Sequence, residues 1–294
     1  MEKITSLFYL LFSGILACHE PAERTGPEGG APAAPSLTER GYDLAQPRKF
    51  LMNYDLREIS GIVLLKGNSD SIYAIEDEDG KLFFFHPGDG KFDYVKFGRK
   101  GDYEDVTILD DKEFVVLRSD GSLYVFPIGM VKNRIRDSVQ EYAHILPEGG
   151  YEGLSGDGGR LIALCKNCKA DDQRREVSGY VLKPDPAGRL AITGHFRVDV
   201  SGLQLTGNGE RPKFHPSCIA RHPLTREWYL ISSVNKVLLI LDEQWKVLAS
   251  YRLDPGLFKQ PEGLAFDAKG NMYISNEGKG GNANVLLFTY QQPK

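Results

Sequence analysis

The sequence predicts an all-β protein: a five-bladed β-propeller whose ring is closed by an N-terminal strand completing the last blade. Three observations carry that expectation. A short motif returns five times, as Arg57-Glu58-Ile59-Ser60-Gly61-Ile62, Tyr103-Glu104-Asp105-Val106, Tyr151-Glu152-Gly153-Leu154, Pro216-Ser217-Cys218-Ile219-Ala220 and Pro261-Glu262-Gly263-Leu264-Ala265. Its acidic position, a serine in the fourth copy, falls at 58, 104, 152, 217 and 262, so the copies stand 46, 48, 65 and 45 residues apart. A period of roughly 40–50 residues built from short strands is that of propeller blades. Between the copies lie apolar, β-branched and aromatic runs bounded by Gly and Asp turns, with no helical periodicity.

Ahead of the repeats the chain reads as targeting and tether. An apolar run starting at Leu7 ends in Ile15-Leu16-Ala17-Cys18, too short to span a bilayer, with small residues just before the cysteine. That ending resembles a bacterial lipobox. It predicts a lipoprotein signal peptide over residues 1–17 and lipidation at Cys18; a plain secretory signal or a buried apolar start are the alternatives. Residues 18–46 are rich in Pro, Ala, Gly, Glu and Thr, which predicts a disordered linker, with the propeller over residues 47–294.

Each motif opens a blade. In the second, Glu104 to Leu109 is followed by the turn at Asp110-Asp111-Lys112, then Glu113 to Arg118, the turn Ser119-Asp120-Gly121, and Ser122 to Phe126. The first blade has the same plan, with Ser71 to Ile75, the turn Asp79-Gly80, and Lys81 to Phe85. A fourth strand precedes each following motif, at residues 92–95, 142–145, 195–198 and 247–251. The fifth blade ends at Leu286-Leu287-Phe288 without an outer strand, and Lys49 to Tyr54 supplies it. The long third repeat leaves six blades as the alternative, although only one blade plus insertions at residues 169–175 and 201–212 is legible there.

In this plan the motifs share one face with the turns between second and third strands. Glu58, Glu104, Glu152, Ser217 and Glu262 start the inner strands, and the second strands end in Asp77, Arg118, Lys166, Ser233 and Asn276. Clustered carboxylates repel one another unless basic groups or a cation sit among them. Two readings follow. Arg118 and Lys166 pair with the glutamates and tie the blades together, or Glu58, Glu104, Glu152 and Glu262 hold a hard cation, for which oxygen ligands suit calcium better than zinc. Under the second reading Asp77, Arg118, Lys166, Ser217, Ser233 and Asn276 are the candidate ligand-binding residues.

The strings Glu-Ile-Ser-Gly-Ile, Gly-Asp-Tyr-Glu-Asp-Val, Leu-Arg-Ser-Asp-Gly-Ser-Leu-Tyr, Tyr-Glu-Gly-Leu, Gln-Pro-Glu-Gly-Leu-Ala-Phe-Asp and Gly-Asn-Met-Tyr-Ile-Ser-Asn-Glu-Gly together resemble the SdiA-regulated family across residues 48–290. The resemblance implies a five-bladed propeller distantly akin to NHL-repeat propellers, exported and often lipid-anchored, with a calcium site. It implies no established activity. Ser217 departs from the glutamate pattern, so a complete carboxylate ring is not available.

Other signals point to no chemistry. Cys165-Lys166-Asn167-Cys168 is a lone Cys-x-x-Cys without a βαβ context or a second pair, which suits a structural disulfide at most. Cys218 reads as a small core residue. His215 is the one histidine on the motif face, and with Ser217 it lacks an acid partner for nucleophilic catalysis. There is no nucleophile elbow and no phosphate loop. A net charge of −4 without a basic cluster argues against nucleic acid. The expectation is a non-enzymatic module of the bacterial cell envelope, held at the outer or plasma membrane through Cys18, that binds a protein, peptide or glycan with calcium as a structural part. The alternative is a calcium-dependent hydrolase of a phosphoester, lactone or other ester.

Overall fold

The computed structural model describes residues 35–133, 139–205, 211–278 and 280–293; the expected signal peptide and Cys18 lie outside them. Strand β1 (Arg48–Leu51) comes first. Blade 1 holds β2 (Ile59–Leu64), β3 (Ile72–Glu76), β4 (Asp79–Phe85) and β5 (Asp93–Lys100). Blade 2 holds β6 (Tyr103–Leu109), β7 (Glu113–Arg118), β8 (Leu123–Pro127) and β9 (Gln140–Tyr142), with the short helix α1 (Gly129–Asn133) before β9. Blade 3 holds β10 (Gly149–Asp157), β11 (Arg160–Cys168), β12 (Glu176–Pro184) and β13 (Leu190–Asp199). Blade 4 holds β14 (Cys218–Arg221), β15 (Trp228–Ser232), β16 (Val237–Leu241) and β17 (Val247–Arg252), and blade 5 opens with β18 (Pro261–Phe266), β19 (Met272–Asn276) and β20 (Asn284–Phe288). Its fourth strand is β1, antiparallel to β20 with Phe50 opposite Val285. Five four-stranded sheets result, and the third repeat is one blade with long strands rather than two. Among the described residues no helix is long and apolar enough to cross a membrane.

The core lies in the joints between blades. Successive side chains on a strand point to opposite faces, and in a propeller each face meets a different neighbour. Strand β16 shows the division: Leu238 and Ile240 pack into the joint with blade 5, Leu239 and Leu241 into the joint with blade 3. Five apolar clusters fill the five joints, which explains why the inner strands read as continuous apolar runs instead of alternating ones.

Two expectations move. The outer strand of blade 2 is Gln140–Tyr142 rather than residues 142–145, because His144 turns the chain with φ 47° before Leu146 enters the core. The second concerns the tether. Residues 35–46 are packed against blades 4 and 5, so the folded unit starts earlier than residue 47. The composition that suggested disorder hides two anchors, Leu37 and Tyr42, both buried. Arg40 pairs with Glu227 at 2.7 Å, the Gln291 amide donates to the Gly41 carbonyl at 2.9 Å, and the Tyr42 hydroxyl donates to the Gly270 carbonyl at 2.5 Å. Because that last bond is buried, Tyr42→Phe is expected to lower the unfolding free energy by about 1 kcal/mol in a urea titration. An unchanged midpoint would mean the segment docks without adding to the fold.

Candidate functional site

The axial site is made by bulges. On β6, Tyr103 lies opposite Arg118 and Asp105 opposite Leu117, which leaves Glu104 as an extra, unpaired residue. The same shift occurs between Tyr151 and Gly153 on β10 and between Pro261 and Gly263 on β18, so Glu152 and Glu262 are also extruded. A bulge re-aims its side chain out of the pleat, here toward the middle of the ring. In blade 4 the Ser217 amide donates to the Ile231 carbonyl at 2.8 Å, one step before β14 pairs regularly.

Blade 1 departs from expectation. There the shift falls between Ile59 and Ile62, so the residue equivalent to the other glutamates is Ser60, with Gly61 in the place of Asp105, Gly153, Cys218 and Gly263. Glu58 lies two residues upstream, part-exposed and paired with Arg57 at 2.8 Å. The second-strand ends divide in a similar way. Glu76, Arg118 and Asn276 occupy one register position, paired with the residue before the bulge, and their side chains bond within their own blades. Glu76 accepts from the Glu78 and Asp79 amides at 3.0 and 2.6 Å. Arg118 makes a fork to Asp120 at 3.0 and 2.7 Å and donates to the Tyr124 hydroxyl at 2.6 Å. Asn276 is fully buried, its side-chain nitrogen donating to Asn284 at 3.1 Å. Arg118 and Asn276 therefore leave the site, while the next residue along, Asp77, Lys166 or Ser233, joins it.

What remains is a well lined by Asp77, Glu104, Glu152, Glu262, Lys166, Ser217 and Ser233. The Ser217 and Ser233 hydroxyls favour the ionised form of the Glu262 carboxyl, and the Ser233 amide donates to the Ser217 hydroxyl at 3.3 Å. Lys166 is itself the extra residue of a second bulge, on β11 between Asn167 and Cys165, and its ammonium pairs with Glu152 Oε1. The other oxygen of Glu152 and Oδ1 of Asp77 are buried without a hydrogen-bond partner. Burial, then repulsion from Asp102, Glu262 and Asp77 against the pull of Lys166, raises the Glu104 carboxyl to about 8. Burial in the same way raises Glu262 to about 7, with Lys166 opposing and Glu277 adding, and raises Asp77 to about 6, with Glu58 and Glu277 adding. His215, whose ring meets the Lys166 backbone, is lowered by burial and by Lys166 and Lys213.

The donors are all hard oxygens, which fits a calcium-type ion, and the two orphaned oxygens fit it as well. The carboxylates are not gathered, however. Among the described residues the one trio of His, Cys, Asp or Glu ligand atoms within 4.8 Å is Cys165, Cys168 and Asp171, and its two sulfurs are joined in a disulfide. Lys166 stands among the acids where an external cation would draw them together. Beside the well, on the same face, a cavity of about 850 Å³ runs over blade 4 between Lys213, His215, Asn235, Lys236, Arg252 and Asp254.

Fold and site define a five-bladed propeller with an acidic axial well on its motif face. The chain matches the SdiA-regulated family over residues 216–279, the stretch from the fourth inner-strand motif through the second strand of blade 5. A search of curated proteins finds no match. Among solved structures it is similar to glutaminyl cyclase of Myxococcus xanthus at 13% identity and a TM-score of 0.55, over 82% of this chain and 94% of that one. It is also similar to a luciferin-regenerating enzyme at 11% identity and a TM-score of 0.50, over 85% and 97%, and to the RRP9 WD40 repeats at 10% and 0.50, over 85% and 99%. At such identities the likeness is one of fold alone.

Proposed function

We propose that the chain is a lipid-anchored module of the bacterial cell envelope that binds a protein, peptide or glycan on its motif face, with calcium in the axial well as a structural part of that surface. The observation that carries the reading is the set of four carboxyl groups, Glu152 buried and Asp77, Glu104 and Glu262 half-buried, two of them with unpartnered oxygens, around one lysine and beside an 850 Å³ groove. Asp77, Glu104, Glu152, Glu262 and the Ser217 and Ser233 hydroxyls would hold the ion, which would have to displace Lys166 from Glu152. The tether supports the choice of face. Residues 35–42 dock on the opposite-face turn at Gly270, so this segment leaves the well uncovered.

Calorimetric titration of the chelator-treated full chain tests this reading. Calcium is expected to bind saturably, about tenfold more tightly in Lys166→Met and at least tenfold more weakly in Glu262→Gln. No binding at millimolar calcium in either the parent or Lys166→Met would leave the well as a set of ion pairs between blades. One observation favours a second reading, the calcium-dependent hydrolase: Glu104, raised to about 8, holds its proton at neutral pH as a general acid must. Calcium-dependent turnover of a nitrophenyl ester or phosphate that Glu104→Gln abolishes would select it.

A further inference from the structure

We propose that the Cys165–Cys168 disulfide is a redox latch on the axial well: closed, it holds Lys166 against Glu152 as an internal counter-ion, and reduced, it releases the lysine and opens the carboxylates to an external cation. The proposal rests on the cation-binding reading and adds its regulation.

The latch is visible in the strand register. Gly150 lies opposite Asn167 and Tyr151 opposite Cys165, so Lys166 is the extra residue between the two cysteines, and the disulfide closes over that bulge with a sequence separation of three. Glu152 is the extra residue on the facing strand. Two opposed bulges thus extrude a lysine and a glutamate toward one another, and a covalent clasp fixes the lysine's half. The rest of the loop is held from outside: the Gln173 side-chain nitrogen donates to the Lys166 carbonyl and, at 3.0 Å, to Asn167 Oδ1. The sulfurs lie in buried space that the facing strand opens to them only by carrying a glycine. A Cβ on Gly149 would stand 2.9 Å from Cys168 Sγ and 3.0 Å from Cys165 Sγ, and Cys165 is fully buried. Two unbonded thiols need more space than a bonded pair in so close-packed a setting, so the end of the hairpin must give. Lys166 rides on that end.

The exchange is an ordinary one. A dithiol reductant attacks Cys168 Sγ, on the less deeply buried of the two residues, 7% exposed against 0% for Cys165. The Sγ–Sγ bond breaks, Cys165 leaves as a thiolate and takes a proton, and the reductant's second thiol displaces Cys168. Two electrons and two protons reach the protein and the reductant ends as a disulfide. In an oxidising compartment the closed form is the resting one.

Two readouts on the full chain, oxidised or treated with dithiothreitol, test the latch. Without metal, acylation of Lys166 by an N-hydroxysuccinimide ester, followed by peptide mass spectrometry, is expected to rise several-fold on reduction. With metal, calcium is expected to bind about tenfold more tightly to the reduced chain and to Cys165→Ala/Cys168→Ala, and equally in both redox states of Lys166→Met. Equal labelling and equal affinity in both states of the parent would overturn the latch and leave the cation reading standing. Loss of the cooperative melt on reduction would also overturn it, making the disulfide a structural staple. Absence of calcium binding in every form would instead remove the reading beneath it, with the labelling deciding whether the lysine is clasped.

Discussion

Replacing Asp105 with alanine is expected to cost about 3–5 kcal/mol of unfolding free energy, the largest effect of any single polar side chain near the axis. Asp105 sits one residue past the Glu104 bulge, 3% exposed. Its Oδ1 accepts from the Val106 amide at 2.8 Å and its Oδ2 from the Leu154 amide at 2.7 Å, so one carboxyl bridges the innermost strands of blades 2 and 3. Burial pushes this carboxyl well above the usual range, with the Leu154 and Val106 amides pulling the other way. Alanine would leave two buried amides without acceptors, each at a cost of about 1–3 kcal/mol. In a domain of this size such a loss lowers the melting temperature by on the order of 10 °C. Asp105→Asn keeps one acceptor and should lose roughly half as much. Gly61→Ala attacks the same contact from blade 1, since an added Cβ would stand 2.3 Å from Asp105 Oδ1 and 2.5 Å from the Val106 nitrogen. Because the two variants share one contact, their effects should not add. A urea titration giving less than 1 kcal/mol for Asp105→Ala would show that the inner strands are held by apolar packing alone.

The blade plan was legible because it depends on the period-2 pattern of strands, which sequence records directly. The axial register was less so, because it depends on bulges. Arg57-Glu58-Ile59-Ser60-Gly61 offers a glutamate that matches the other copies by type, yet Ser60 is the residue that matches by position. The signal that separates them is the small residue just after the bulge, Gly61, Gly153 and Gly263; at Gly61 and Gly263 the neighbouring inner strand approaches closely. Aligning on that glycine instead of on the acid would have given Ser60. Arg118 illustrates the same one-residue sensitivity: a single step along a strand turns a side chain from the ring's middle to its own hairpin. Nothing in Cys-Lys-Asn-Cys alone shows the bulge at Lys166 between the cysteines. Tyr42 was missed because one buried aromatic barely alters the composition of a Pro- and Ala-rich stretch.

Calcium binding is expected to expel protons at neutral pH and to tighten by up to about tenfold per pH unit between pH 6.5 and 8, one decade for each proton released. The protons reside on Glu104, held to about 8, and Glu262, held to about 7, both raised mainly by burial. The same groups set the stability of the chelated chain. A carboxyl that binds its proton more tightly when folded, from an ordinary 4.5 to about 8 for Glu104, makes the folded state richer in protons across that interval, so stability falls as pH rises through it. Glu76, raised to about 7, acts in the same sense. His222 acts in the opposite one: buried among aromatic rings and lowered by burial from 6.5 to about 4, it contributes stability that is present above 6.5 and lost as pH falls toward 4. Above pH 6.5 the acidic groups therefore act without opposition from His222. In chelator, unfolding free energy should drop by on the order of 3 kcal/mol from pH 6.5 to 8, and Glu104→Gln should remove about half of that slope. Excess calcium should flatten or reverse it, because the ion favours the ionised carboxylates. Calorimetry in two buffers of different ionisation enthalpy counts the protons directly. A heat independent of buffer, together with stability that stays level between pH 6.5 and 8, would mean that Lys166 already keeps these carboxyls ionised and that no vacancy for a second cation exists among them.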